Sequence, residues 1–165
     1  MKTLYIKNIL SLALVLLFTT TSNAQISKAE IRATGLTCSM CSNAINKQLK
    51  SLSEVENIEI DLNTNTFVVT LSDSNSLQPS VFKEKVEKAG FFIGSLVLTV
   101  SPETIKNSSF IVVNDKENTS KVVQIQVLDK GYVTDKEFKK LVKSYKNSTT
   151  FNNNNEADFH VKILN

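Results

Sequence analysis

Histidine occurs once in these 165 residues, cysteine twice, proline twice, glycine four times and tryptophan not at all. A lone histidine cannot build a multi-histidine metal centre, and its scarcity deprives most serine- and cysteine-hydrolase schemes of their usual base. Two cysteines cannot frame a multi-disulfide scaffold. So little Gly and Pro excludes a fibrous chain, and an apolar content of 41% excludes a disordered one. Charge of one sign is lacking as well. The 19 basic and 16 acidic residues leave a formal +3, too little for a strongly basic nucleic-acid surface, so no nucleic-acid partner is expected. Carboxylates are scattered and no Gly-rich phosphate loop or nucleophile motif occurs, so the chain reads as a non-enzyme. Whatever chemistry it performs is concentrated in very few side chains.

Residues 1–24 read as a secretory signal peptide. Lys2 and Lys7 precede the short apolar run 9–18, and Ser22 and Ala24 are the small residues a cleavage site wants. The run falls short of the roughly 20 residues that span a bilayer, so the mature chain is expected not to cross a membrane; a retained anchor helix is the alternative. No cysteine lies near the cleavage site, which does not indicate a lipoprotein. Removing Lys2 and Lys7 leaves a nearly neutral chain. Export, with the periplasm as the expected destination, delivers both cysteines to an oxidising compartment.

Residues 25–100 carry the pattern of one α+β domain. Ala29, Ile31 and Ala33 alternate with polar neighbours as in a half-buried strand, and Gly35 ends the pattern. Met40, Ala44, Ile45, Leu49 and Leu52 then recur at helical spacing. Ile58, Ile60 and Leu62, the turn 63–66, and Phe67, Val69 and Leu71 make a hairpin. Pro79 and Ser80 open a second helix with Phe82, Val86 and Ala89 on its apolar stripe, closed by Gly90. Residues 92–100 form a last apolar strand. The order βαββαβ is that of a ferredoxin-like sandwich.

The loop Gly35-Leu36-Thr37-Cys38-Ser39-Met40-Cys41 resembles the metal-binding loop G-M-T-C-x-x-C of heavy-metal-associated domains, found in copper chaperones, copper-transporting ATPases and the periplasmic mercury-binding protein. The resemblance covers about residues 26–100 and includes Ala89-Gly90-Phe91 after the second helix. It implies that Cys38 and Cys41 are the metal ligands and that Leu36, where the family has Met, is a packing residue. It also implies that a partner thiol enters an open site to take the ion over. Zinc-selective relatives place Asp before the first cysteine, where this chain has Thr37.

Soft copper(I) prefers thiolate sulfur and accepts low coordination, and a helix N-terminus lowers a thiol's pKa from about 8.5. The expected function is therefore carriage of copper(I), for buffering or transfer to a metal-transport protein of the envelope, with mercury(II) as the alternative cargo. A thioredoxin-like redox dithiol and a structural disulfide remain the rival readings of Cys38 and Cys41. A homodimer bridged by one ion through four sulfurs is also compatible with the motif. Met40 reads as core packing against Ala44 rather than as a third donor. Lys47 and Lys50 read as a solvated face that could steer an acidic partner.

Residues 101–165 lie outside the resemblance and read as a small α+β (ββαβ) unit. Ser101-Pro102 breaks the preceding strand. Residues 110–113 and 123–127 are expected as hairpin arms, with 115–120 as a polar turn. Thr134 and Glu137 form a capping box for a helix carrying Phe138, Leu141, Val142 and Tyr145. Residues 148–155, with four consecutive asparagines, read as a loop before a last strand holding Phe159, Val161 and Ile163. Roughly 65 residues make a marginal core, so this unit should pack on the first domain or on another chain. His160, between Asp158 and Lys162, is expected to be exposed and without function. Lys136, Lys139, Lys140, Lys143 and Lys146 gather on one side of the helix, open to an acidic partner, an anionic membrane or mere solvation.

Overall fold

A computed structural model describes residues 26–37, 39–107, 109–114, 120–145 and 158–164. The expected signal peptide, Cys38 and the asparagine run lie outside them. The elements are β1 (Ile26–Thr34), α1 (Ser39–Leu49), β2 (Val55–Asp61), β3 (Thr66–Leu71), α2 (Pro79–Lys88) and β4 (Phe92–Val100), followed by α3 (Pro102–Asn107), β5 (Phe110–Val112), β6 (Val123–Val127), α4 (Asp135–Ser144) and β7 (Phe159–Ile163). The first six follow the expected βαββαβ order, and the ferredoxin-like α+β class holds.

All seven strands join one sheet in the order β2-β3-β1-β4-β6-β7-β5. Alternation along each strand decides which side chains enter the core. Ala29 and Ile31 of β1 face Val69 and Phe67 of β3 on one flank, and Leu98 and Leu96 of β4 on the other. Ile45 and Leu49 of α1, and Phe82 and Val86 of α2, cover that layer and are all fully buried. Asp61 shapes the β2–β3 turn. Its carboxylate accepts the Asn63 N–H at 2.9 Å and the Thr64 hydroxyl at 2.7 Å, and these bonds hold its pKa below the ordinary carboxylate value.

The C-terminal residues extend the same sheet. β6 pairs antiparallel with β4, setting Val127, Ile125 and Val123 opposite Leu96, Leu98 and Val100, so one hydrophobic layer runs through both halves. This realises the expected packing on the first domain. The hairpin expected between residues 110–113 and 123–127 does not form. β5 pairs parallel with β7, while β6 lies between β4 and β7. The free edge of β4 takes β6 and the outer edge of β7 takes β5, so the two arms pair separately. The short helix α3 begins at Pro102, where the sequence pattern predicts only the end of β4; proline breaks a strand and is equally well suited to a helix start.

A second, smaller cluster holds α4. Phe138, Leu141, Val142 and Tyr145 pack on Leu128 and Val133, and the Thr134 hydroxyl accepts the Glu137 N–H at 3.3 Å as the helix cap. The neighbours Val127 and Leu128 enter different clusters. Successive residues of an extended segment point to opposite faces, so α4 lies across the sheet from α1 and α2.

Candidate metal centre

The cysteine loop joins β1 to α1. β1 ends at Thr34, whose hydroxyl donates to the Phe92 carbonyl at 3.3 Å and ties the strand end to the start of β4. Gly35 then takes φ +86°, a left-handed conformation that glycine adopts without a Cβ penalty. Leu36 folds back against the core, as the resemblance implies, and Thr37 is exposed. Cys38 lies outside the described residues. Cys41 falls in the first turn of α1 and is half-buried.

Helical spacing explains that half-burial. Cys41, Ile45 and Leu49 stand at i, i+4 and i+8 on one face, and the latter two are anchored in the core. Cys41 therefore caps the inward stripe at its outer end. Met40 and Ala44 point off that stripe; Met40 is 80% exposed and Ala44 is exposed. The expectation that Met40 packs in the core against Ala44 is overturned, because the stripe through Cys41 is the one the sheet covers. No acidic residue occupies the first turn of α1, so nothing there offsets the partial positive charge of its N-terminus. That end favours a thiolate over a thiol.

The Ala89-Gly90-Phe91 signature has a structural cause. Gly90 takes φ +88°, its N–H donates to the Glu87 carbonyl at 2.8 Å, and the Phe91 N–H donates to the Val86 carbonyl at 3.2 Å. This pair of bonds is a Schellman closure of α2, with glycine at the left-handed position. It delivers the Phe91 ring to the loop: a β-carbon placed on Gly35 would lie 3.9 Å from Phe91 Cδ1.

Lys47 and Lys50 are exposed and border a groove of about 570 Å³ on α1 with Met40, Asn43, Ala44, Asn46 and Ser51. Met40 and Asn43 also join Ser42, Ile60 and Leu62 around a second hollow of about 350 Å³ beside the β2 end. Among the described residues, no cluster of three His, Cys, Asp or Glu side chains gathers as a metal site, and no helix is long and apolar enough to cross a membrane.

His160 departs from expectation. It is 2% exposed, its Nδ1 lies 2.8 Å from Asp129 Oδ1, and its backbone N–H donates to Asp129 Oδ2 at 2.7 Å. Burial raises the Asp129 pKa, against the lowering effect of the two His160 hydrogen bonds. The pair fastens the segment after β6 to β7, far from the cysteine loop in the strand order. The charged neighbours Asp158 and Lys162 suggested exposure, and the partner that makes burial possible stands 31 residues away.

Residues 30–92 match the heavy-metal-associated domain. A copper-transporting ATPase of Helicobacter felis is 32% identical over 91 residues, which is 55% of this chain and 12% of that protein. The chain thus spans about an eighth of this curated relative. Among solved structures, the yeast copper transporter domain studied in apo and Cu(I) states is 36% identical, covering 41% of this chain and 90% of that one, with a TM-score of 0.37. A copper-binding domain from a P-type ATPase is 31% identical over 39% of this chain and 85% of its own, with a TM-score of 0.36.

Proposed function

The chain belongs, through residues 30–92, to the heavy-metal-associated domain family, and from that premise we propose that it is an exported carrier of a soft metal ion, copper(I) foremost, gripped by the thiolates of Cys38 and Cys41 and passed to an envelope metal transporter. The observation that carries this reading is the seat of Cys41. It is a half-buried sulfur in the first turn of a helix whose N-terminal end holds no neutralising acid. The cargo is a cation that sulfur alone satisfies, so the donor chemistry fits copper(I) and does not fit zinc, which wants four ligands.

The protein's own part in transfer is to hold the second sulfur, that of Cys41, in the first turn of a helix packed on the core. Ile45 and Leu49 fix the helix, and Gly35 lets the loop turn out of β1. The helix end contributes about 0.3–1 kcal/mol toward a negative charge beside it, which favours both the deprotonated sulfurs and their anionic copper(I) complex. Lys47 and Lys50 stand on the same helix and suit an approaching acidic partner.

The test is copper(I) titration of the reduced, full-length mature chain against a chromogenic competitor. One equivalent should bind per chain, and Cys38→Ser or Cys41→Ser should abolish it. Unchanged stoichiometry in both variants would refute the assignment. Stronger retention of mercury(II) than of copper(I) by protein isolated from its compartment would reassign the cargo, and catalysed reduction of insulin would reassign the pair to redox work. Two copies sharing one ion would appear as a metal-dependent doubling of mass.

A further inference from the structure

We propose that the outer face of α4 is a docking surface for an anionic lipid bilayer. Lys136, Lys139, Lys140 and Lys143 stand at i, i+3, i+4 and i+7, a single stripe down the helix, and all four are exposed. The opposite side, Phe138, Leu141 and Val142, is committed to the cluster with Leu128 and Val133, so the helix cannot roll to hide its lysines. The acids of α4, Asp135 and Glu137, are confined to the first turn, where the helix N-terminus accommodates them.

One group of acids stands far from the stripe. The exposed acids Glu56, Glu59 and Asp61 lie on β2, the edge strand at the far end of the sheet. Four strand steps separate β2 from β6, after which the α4 cluster begins. At about 4.8 Å per step that is roughly 19 Å, well beyond the ~8 Å Debye length at physiological salt. The acids of that edge therefore leave the lysine stripe uncompensated.

A bilayer fits this surface better than a folded protein does. Stereospecific protein interfaces centre on buried aromatic or Arg anchors. Among the described residues, the large exposed apolar side chains are Met40, Ile60, Leu62, Phe92 and Val122, none of them on α4. The stripe is lysine throughout, a set of hydrated point charges that needs a dense anionic surface and no shaped pocket. Because α4 lies across the sheet from α1, a chain adsorbed through it keeps the cysteine loop's helix turned away from the lipid.

The experiment is co-sedimentation of the full-length mature chain with vesicles of phosphatidylglycerol in phosphatidylcholine, against phosphatidylcholine alone. Binding is expected only to the anionic vesicles and should fade when salt shortens the Debye length to about 3 Å. Replacing the four lysines one after another by Gln, which preserves helix propensity, should weaken partitioning about fivefold per lysine. The control pair Lys88→Gln and Lys106→Gln, equally exposed but on other elements, should leave it nearly unchanged. Circular dichroism and copper(I) stoichiometry verify that each variant is folded. Equal binding to neutral vesicles, indifference to salt, or equal loss from the control pair would overturn the proposal. So would capture on immobilised polyglutamate without capture on anionic vesicles, which would assign the stripe to an acidic polypeptide.

Discussion

Gly94 offers a sharp test of how β4 packs against the end of β1. It lies inside β4 and is buried, and a β-carbon built on it would stand 2.5 Å from Thr34 Cγ2, 3.5 Å from the Arg32 carbonyl oxygen and 3.7 Å from Thr134 Cγ2. The position needs glycine for space. Thr34 could yield only by turning about χ1, which sacrifices its 3.3 Å hydrogen bond to the Phe92 carbonyl. Overpacking of this kind costs about 1–3 kcal/mol, so Gly94→Ala should lower the melting temperature by about 2–4 °C for each kcal/mol in a chain of this size. The compensating change is Thr34→Ser, which removes the offending methyl and keeps the hydroxyl. Alone it should cost under about 1 kcal/mol. Combined with Gly94→Ala it should recover about 1–2 kcal/mol, a coupling that a double-mutant cycle in urea measures directly. If Gly94→Ala is harmless, or if the double variant is merely additive, the tight contact between β4 and the end of β1 is not what holds this region.

Two further outcomes follow from the backbone and the buried pair. Gly90 has φ +88° with nothing within 4 Å of a built β-carbon, so Gly90→Ala should cost about 1 kcal/mol through conformation alone, and Gly90→Asn less; equal thermal midpoints for all three chains would contradict the Schellman closure. Asp129 satisfies the backbone N–H and the ring of buried His160, so Asp129→Ala should cost about 2–4 kcal/mol in chemical denaturation. Its pKa is raised above 3.8 by burial, so the folded state binds this proton more readily than the unfolded one. The stability contributed is fully present at pH below 3.8 and is lost as pH rises through the elevated value. The wild type should therefore gain on Asp129→Asn as pH falls through that window, and a constant or shrinking difference would refute the sign.

Local patterns read well from sequence in this chain, and long-range ones did not. The period-two runs at Phe67, Val69 and Leu71 and at Val123, Ile125 and Val127 became strands with those side chains inward, because each strand has one face on a core. The Thr134 cap and the Gly90 stop appeared where local chemistry dictates them. Met40 misled because its apolar character was matched to the wrong helical stripe; Cys41, not Met40, continues the line through Ile45 and Leu49. His160 misled because a buried polar residue is decided by its partner, and Asp129 is distant in sequence. Strand pairing failed for the same reason. The apolar run 110–113 marks a strand but does not show that β7 rather than β6 receives it. Gly94 did carry a signal, since glycine within a strand often marks close backbone approach.

The continuity of the sheet gives the C-terminal residues a structural purpose beside any binding role. In the strand order β2-β3-β1-β4, β4 would be an edge, and an uncovered edge is a template for unwanted pairing. Here β6 occupies that edge, and Val123, Ile125 and Val127 bury their side chains in the layer shared with β1 and β4. The new edge is β5, which spans only three residues, a length that presents few unpaired backbone groups. The exposed long edge is β2, and Glu56, Glu59 and Asp61 on it would repel a second copy aligned against it. Both ends of the sheet thus resist edge-to-edge association by different means, brevity at one and negative charge at the other. The cysteine loop, set between β1 and α1, belongs to neither end.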